Sequence, residues 1–456
     1  MMENSGNYIA IAIYLLGLLF LTLRASKNKS EDDFLSASKN VGWKSLSVSI
    51  FASVISSYNI VVGLSFAYLF GPWVAFIYLG ALSSFFVIYH LVTQKNKEQF
   101  AHKSFTSIID FLAQKFGRVN ASIFNLSFMI VLFLFIAVQF FVNTTIFSEL
   151  MGWDKYVSAL FVGIVVLLYI VKGGLKVEIL TDVFQGVLML LFIGLLFFVD
   201  TSHLTLSTFT PFLKDSTIIV SAVALGVSQF LTLLVQPEVW QRIYASKSSV
   251  DLKKGILASM GLVLLFIIPI IIIGLSARAT GIEVNPDTFF YSILETTTPQ
   301  WFLPFIAVAL FAAFMSSLDS AIFALATQMG KYGLWIKKDV EVQEENKLNE
   351  VKNIKRSVFA IVITTLITSL FFSDFLTSVL QIMSLLTVDA VVILLGIRLK
   401  LSYREITIAL VLGTACFLIA SFGGFISSEP YAILYPSIAV VLFIIVQSVI
   451  RRIMCS

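Results

Sequence analysis

Thirteen apolar runs, each at least 16 residues long, follow one another between residues 8 and 449. Each is long enough to cross a hydrocarbon core of about 30 Å as a helix. They cover 8–23, 44–69, 72–94, 121–148, 153–172, 178–199, 217–237, 255–277, 301–331, 354–373, 376–397, 403–424 and 430–449. Such a pattern restricts the fold severely. In lipid, backbone polar groups must be satisfied inside the protein, and a helix does this segment by segment. With 58% hydrophobic residues, the chain is expected to form one all-α polytopic membrane domain over residues 1–456, with no room for a second.

Charge gives the spans a direction. With the N-terminus outside, 28 of the 31 Lys and Arg fall in cytoplasmic segments. The other three are Lys155, Lys214 and Arg278. This asymmetry predicts an outside N-terminus and an inside C-terminus, and the protein is expected to be multi-pass and integral to the plasma (inner) membrane. The net charge of +4 is then a topology signal and gives no reason to expect a nucleic-acid partner. No basic residue precedes the first span, so it is expected to be retained rather than cleaved. Cys416 and Cys455 build no disulfide framework, and no residue pattern indicates an oligomeric state.

Two spans carry polar interruptions. In the second they are Ser56-Ser57-Tyr58-Asn59 and Gly63; in the seventh, Gly226-Val227-Ser228-Gln229 and Thr232. Unwound backbone at membrane depth is tolerated only where it lines a cavity or is buried in protein. The interruptions lie five spans apart, and an odd-numbered unit repeated in tandem inserts upside down. Residues 44–199 and 217–397 are therefore expected to form two five-span inverted repeats meeting at a midplane site. Residues 8–23 and 403–449 would be peripheral. The loop after the third span is expected to hold a short interfacial helix, and the segment 279–300, with Pro286 and Pro299, a lid.

In the ninth span Ala313, Ser316, Ser317 and Ser320 fall at i, i+3, i+4 and i+7, sharing one helix face bordered by Asp319. Hydroxyls, a freed carbonyl and a carboxylate suit a hard cation, and polar clusters at membrane depth mark ion or solute paths. Small residues and hydroxyls also join spans to one another. The spacing alone leaves both readings open.

Four segments together resemble the sodium/solute symporter family. The ninth span is similar to its A-x-x-S-[ST] motif. Gly173-Gly174-Leu175-Lys176 followed by Thr181-Asp182-Val183-Phe184-Gln185 resembles its GGLK…TD…Q signature. Gln241-Arg242-Ile243-Tyr244-Ala245-Ser246-Lys247 resembles its QR…A-x-K segment, and Glu31-Asp32-Asp33-Phe34-Leu35 its approach to the second span. The resemblance implies a LeuT-type fold and Na+-coupled uptake of a small organic solute by alternating access. It implies a sodium held by the carbonyls of Ala52, Ile55 and Ala313 and the hydroxyls of Ser316 and Ser317. A second sodium is implied at Asp182, Ser316, Asp319 and Ser320, with either carboxylate pairing instead with Lys176 or Lys331. The coupling ion is thus Na+, one or two per cycle.

Solute would lie beside the interruptions. The candidates are Ser56, Ser57, Tyr58 and Asn59, then Gln139, Asn143, Gln229, Thr232 and Gln381. No Lys or Arg is expected in the bundle core, which favours a neutral or zwitterionic solute. The family's sugar carriers tend to show a proline pair in the eleventh span, where this chain has Thr387-Val388-Asp389. Asp389 has no assigned role. The three histidines, His90, His102 and His203, have no metal-ligand spacing, and no phosphate loop is present, so no enzyme is expected. The alternatives are a proton-coupled carrier using Asp182, Asp319 or Asp389, and a non-transporting sensor of the same fold.

Overall fold

The computed structural model describes residues 5–27, 30–93, 105–171, 173–281, 293, 296, 298–336, 344–372 and 375–455. Its elements in chain order are α1 Ser5–Ala25, α2 Glu31–Ser36, α3 Trp43–Val54, α4 Ser57–Phe70, α5 Val74–Thr93, α6 Ile108–Met151 and α7 Lys155–Ile170. Next come α8 Leu175–Met189, α9 Leu206–Lys214, α10 Ser216–Val235, α11 Pro237–Ala245, α12 Ser249–Ala279 and α13 Leu303–Thr327. The chain ends with α14 Glu344–Ser369, α15 Phe375–Leu399, α16 Tyr403–Phe422, α17 Phe425–Ser428 and α18 Tyr435–Cys455. Helix α8 runs on as a 3-10 turn over Leu190–Phe197, and α13 closes on a π turn over Gln328–Tyr332.

Each apolar run expected to span falls on helix. Ten helical stretches among the described residues are long and apolar enough to cross a bilayer. Helix α7 is shorter, at 16 residues, and α14 carries Lys352, Lys355 and Arg356 within its length. The interfacial helix expected before the fourth span is the first part of α6. It starts on a Ser107–Asp110 capping box and is set off by Gly117 at φ 78°. Most of the segment expected to form a lid lies outside the described residues.

The second span is broken where its sequence suggests. Helix α3 ends at Val54, Ile55 is extended (φ −91°, ψ 109°), and α4 restarts at Ser57. Ser56 and Asn59 cause the restart. The Ser56 hydroxyl accepts the Asn59 N–H at 3.1 Å, and the Asn59 amide oxygen accepts the Ser56 N–H at 3.0 Å. The Ser56 N–H would otherwise close a helical bond on the Ala52 carbonyl, so the capping box leaves that carbonyl free.

The seventh span departs from expectation. Gly226 to Gln229 do not interrupt it: α10 runs unbroken from Ser216 to Val235. The break comes at Gln236 (φ −61°, ψ 114°), before Pro237 opens α11. Proline has no N–H to continue the ladder, and it drives its predecessor out of the helical region. Gly226 serves packing instead. A Cβ there would meet the Phe76 carbonyl oxygen at 2.5 Å, and one on Gly80 would meet the Gly226 oxygen at 1.9 Å. Helices α5 and α10 thus cross backbone against backbone, as small residues permit.

Helix α13 is the centre of the bundle, with 94% of its most apolar stretch buried. It packs on α8, α6, α1 and α14. Other helices pair in matched fashion. Helix α5 lies on α10 as α12 lies on α3 and α4; α3 meets α8 as α10 meets α15; and α8 meets α13 as α15 meets α6. Helices α16 and α18 pack on each other and on α15 at the periphery.

Candidate functional site

The freed Ala52 carbonyl faces α13. The Ser316 hydroxyl donates to it at 2.8 Å and also lies 3.3 Å from the Ala313 carbonyl. The Ser317 hydroxyl reaches the same Ala313 oxygen at 3.0 Å and the Gln139 amide oxygen at 2.8 Å. Four of the five oxygens expected to hold sodium are therefore in one contact group, formed where the break in the second span meets the middle of α13. The fifth belongs to Ile55, the extended residue of the break itself. Ala52, Ala313 and Ser316 are wholly buried, and Ser317 is 1% exposed. Five uncharged oxygens suit a monovalent cation that must also be released, since tight divalent sites recruit several carboxylates.

The second set is organised by a residue expected elsewhere. Arg242 was expected in a cytoplasmic segment, and the core was expected to hold no Lys or Arg. Its guanidinium is instead fully buried. Nη2 donates to Asp182 Oδ2 and Glu178 Oε1, both at 2.7 Å, and to the Ser320 hydroxyl at 2.6 Å. Nε donates to the Ser49 hydroxyl at 2.8 Å, and that hydroxyl donates to Asp182 Oδ2 at 2.5 Å. Asp182 and Ser320 are thus joined through Arg242. Lys176 pairs with Asp33 at 3.0 Å, and Lys331 with Asp110 at 3.1 Å, so neither is the partner expected for Asp182 or Asp319. Asp319 instead accepts from the Tyr169 hydroxyl. One oxygen on each of Asp182, Asp319 and Glu178 has no hydrogen-bond partner.

The four sequence motifs converge here. Phe34 packs on Gly174, whose φ of +92° and contact of 2.5 Å to a hypothetical Cβ require glycine. Val41 exchanges backbone bonds with the QR segment: its N–H goes to Ala245 at 3.1 Å, and its carbonyl accepts from Lys247 at 2.9 Å. The segment therefore folds back against the bundle, and α11 carries Arg242 inward. The sequence signal for this fold-back is Gln236-Pro237.

Beside the oxygens expected to hold sodium lies a cavity. With the open solvent at its mouth included, its empty space comes to about 1060 Å³. Asn59, Gln229 and Thr232 line it, as expected for solute contacts, and so does Ile55, one of the residues expected to hold sodium. Tyr78, Gln236 and Glu238 add polar groups that sequence reasoning did not single out. The remaining wall is apolar, with Leu132, Phe135, Ile267 and Met383 among its members. Four other candidates lie off this wall. Gln139 serves Ser317, and Asn143 donates to the Gln139 carbonyl at 2.6 Å. Ser56 caps α4, and Gln381 sits beside, not among, the lining residues Val379, Ile382 and Met383. The side chains of Ser57 and Tyr58 are outside the described residues. Asp389 is also off the cavity, buried between α15 and α6, where it accepts from Ser127 at 2.6 Å.

A helical bundle whose paired spans break around a buried polar centre and an adjoining cavity has the build of a secondary transporter. The sodium:solute symporter family model matches residues 34–404, and the chain belongs to that family. It is 24% identical over 356 residues to the sodium/sialic acid symporter SiaT of Proteus mirabilis (strain HI4320), covering 70% of this chain and 69% of that one. It is 26% identical over 172 residues to the human sodium/iodide cotransporter, covering 38% of this chain and 26% of that one. Among solved structures it resembles the substrate-bound outward-open state of a Na+-coupled sialic acid symporter. The TM-score is 0.79 at 21% identity, with 98% of this chain and 97% of that one covered. The transporter Mhp1 in a closed conformation follows at a TM-score of 0.54 and 15% identity, covering 92% of this chain and 94% of that one. The protein is therefore an integral, multi-pass secondary transporter of LeuT-type fold that couples solute movement to Na+. It is not an enzyme.

Proposed function

We propose that this symporter carries a small neutral or zwitterionic organic solute, with one Na+ seated on Ala52, Ile55, Ala313, Ser316 and Ser317. The observation carrying the sodium assignment is the Ser316 hydroxyl on the Ala52 carbonyl, at 2.8 Å. That carbonyl is free only because Ser56 and Asn59 cap a new helix. A cation there would tie the broken second span to α13 and, through Ile55, to the cavity wall. Occupancy would then bias which way the bundle opens. The second set serves as a buried ion pair, because Arg242 already supplies a positive charge to Asp182 and Ser320.

The relatives are named for sialic acid, iodide and monocarboxylates. We do not carry an anionic substrate over to this chain. The described residues lining its cavity include no Lys, Arg or His, so a carboxylate would meet no fixed positive charge among them. The matched packing of α5 on α10 and of α12 on α3 and α4 supports two inverted repeats, 44–199 and 217–397. The excess of Lys and Arg on one side supports an outside N-terminus, and we place the carrier in the plasma (inner) membrane, where an inward Na+ gradient would drive uptake.

Uptake screens of amino acids, sugars, carboxylates and nucleosides, run in Na+ or choline medium at fixed pH, test this reading. Uptake of a neutral or zwitterionic solute in Na+ alone is expected. Equal uptake in choline, or uptake of anions only, would contradict it.

A further inference from the structure

The cavity wall described holds one carboxylate, which neither the sodium set nor the Arg242 cluster uses. Glu238, in the first turn of α11, is 1% exposed and lines the cavity wall. Gln236 donates to its Oε1 at 2.8 Å, while Oε2 has no partner. A buried carboxylate oxygen without a donor is costly, and more so among apolar side chains.

The neighbouring cation, Arg242, forms no ion pair with it. Arg242 touches Glu238 only through the backbone, with Nη1 on the carbonyl oxygen at 3.1 Å. The other guanidinium bonds go to Ser49, Glu178, Asp182 and Ser320. Two carboxylates already share that single positive charge, and among the described residues Glu238 has no ion pair of its own.

We infer that Glu238, backed by Gln236, receives the ammonium group of the transported solute, and that the solute is a zwitterion with an ammonium end and an apolar body. The inference rests on reading the cavity as the solute site. An ammonium N–H would fill the empty position at Oε2 and supply the missing charge. The wall of Leu132, Phe135, Ile267 and Met383 would take an alkyl or aryl chain. Asn59, Gln229 and Thr232, on the same wall, would serve a further polar group of the solute. A carboxylate in the position of the ammonium would instead face Glu238 as a like charge.

The test uses the purified full-length chain in detergent with saturating Na+. Thermal shifts are titrated with hexylamine, phenethylamine and tyramine, and with the alcohol and carboxylate of each skeleton. At least one amine is expected to stabilise the wild type while its alcohol and carboxylate do not. Glu238→Gln should weaken that amine by about thirtyfold or more, because a buried charged bond is lost. It should leave the shift produced by Na+ alone intact, which also shows that the variant is folded. If Glu238→Gln fails to fold, Glu238→Asp is used. It keeps the charge but withdraws it by one methylene, and the same amine should then bind more weakly. Three results would overturn the inference: no stabilising amine in the wild type, equal stabilisation by a matched carboxylate, or unchanged amine affinity in the variant. Loss of the Na+ shift from the wild type would instead strike the sodium assignment, so the two failures can be told apart.

Discussion

Arg242 donates to Asp182 Oδ2 over 2.7 Å, and neither side chain has any solvent exposure. The pair links α11 to α8 near the oxygens of α13 proposed to hold sodium, and Glu178 shares the same guanidinium nitrogen. A buried ion pair need not stabilise a fold relative to apolar residues, but removing one partner strands the other. Arg242→Met should therefore lower stability by about 3–5 kcal/mol. The Arg242→Met, Asp182→Asn, Glu178→Gln triple variant should regain much of it. Thermal unfolding in detergent reads both. A single variant as stable as the wild type would remove the pair from the fold's supports.

Stoichiometry follows from the same geometry. With Arg242 occupying Asp182 and Ser320, one Na+ is expected per cycle. The Na+ activation curve of uptake should have a Hill coefficient near one in the wild type. A value clearly above one would mean that the orphan oxygens of Asp182 and Asp319 also hold an ion.

The crossing of α5 and α10 leaves no room for a methyl group. A Cβ on Gly80 would lie 1.9 Å from the Gly226 oxygen, and backbone cannot yield as a side chain can. Gly80→Ala is expected to cost about 1–3 kcal/mol. Gly261→Ala is the control, because nothing lies within 4 Å of its Cβ position. Gly261→Ala should be neutral or mildly stabilising, since alanine favours helix. Equal melting temperatures for the two variants would contradict the close crossing.

Asp33 and Lys176 tie the loop before the second span to the start of α8. Burial raises the Asp33 pKa, but the Ser38 hydroxyl and the Lys176 ammonium together outweigh it and hold the group below its ordinary value. The folded pKa is thus the lower one. The resulting stabilisation is complete above the unfolded value, about 4, and is lost as pH falls through the folded value. Unfolding temperature measured from neutral pH downward should show an acid-side loss that Asp33→Asn lacks. Identical profiles would exclude the pair as its source.

Much of this was legible in the chain because membrane depth makes the pattern coarse. The thirteen apolar runs all became helix, since lipid admits little else. The break after Ile55 was legible because Ser56-Ser57-Tyr58-Asn59 interrupts an apolar span; that Ser56 and Asn59 close a capping box is what the structure adds. The second break was misplaced for a physical reason. Gly226 to Gln229 looked like an interruption, yet a glycine in a span serves close packing as readily as unwinding, and sequence does not show what lies opposite. Pro237 was the decisive signal. Arg242 and Glu238 were missed for a related reason. They follow an apolar run and look like loop residues, until Val41 pairs with the QR segment and folds it back inward. That contact spans about half the chain and leaves no local trace. Among the proposed solute residues, Asn59, Gln229 and Thr232 share the cavity wall, whereas Gln139 turned out to serve Ser317.

The most direct test is the Na+ concentration giving half-maximal uptake in the wild type, Ser316→Ala and Ser317→Ala. Each variant removes one hydroxyl from the group formed with Ala52 and Ala313, an oxygen contact worth about 1–2 kcal/mol. The half-saturating Na+ concentration should therefore rise about tenfold in each, while variants such as Gly261→Ala keep the wild-type value. Wild-type Na+ dependence in both serine variants would contradict the assignment of this site to sodium.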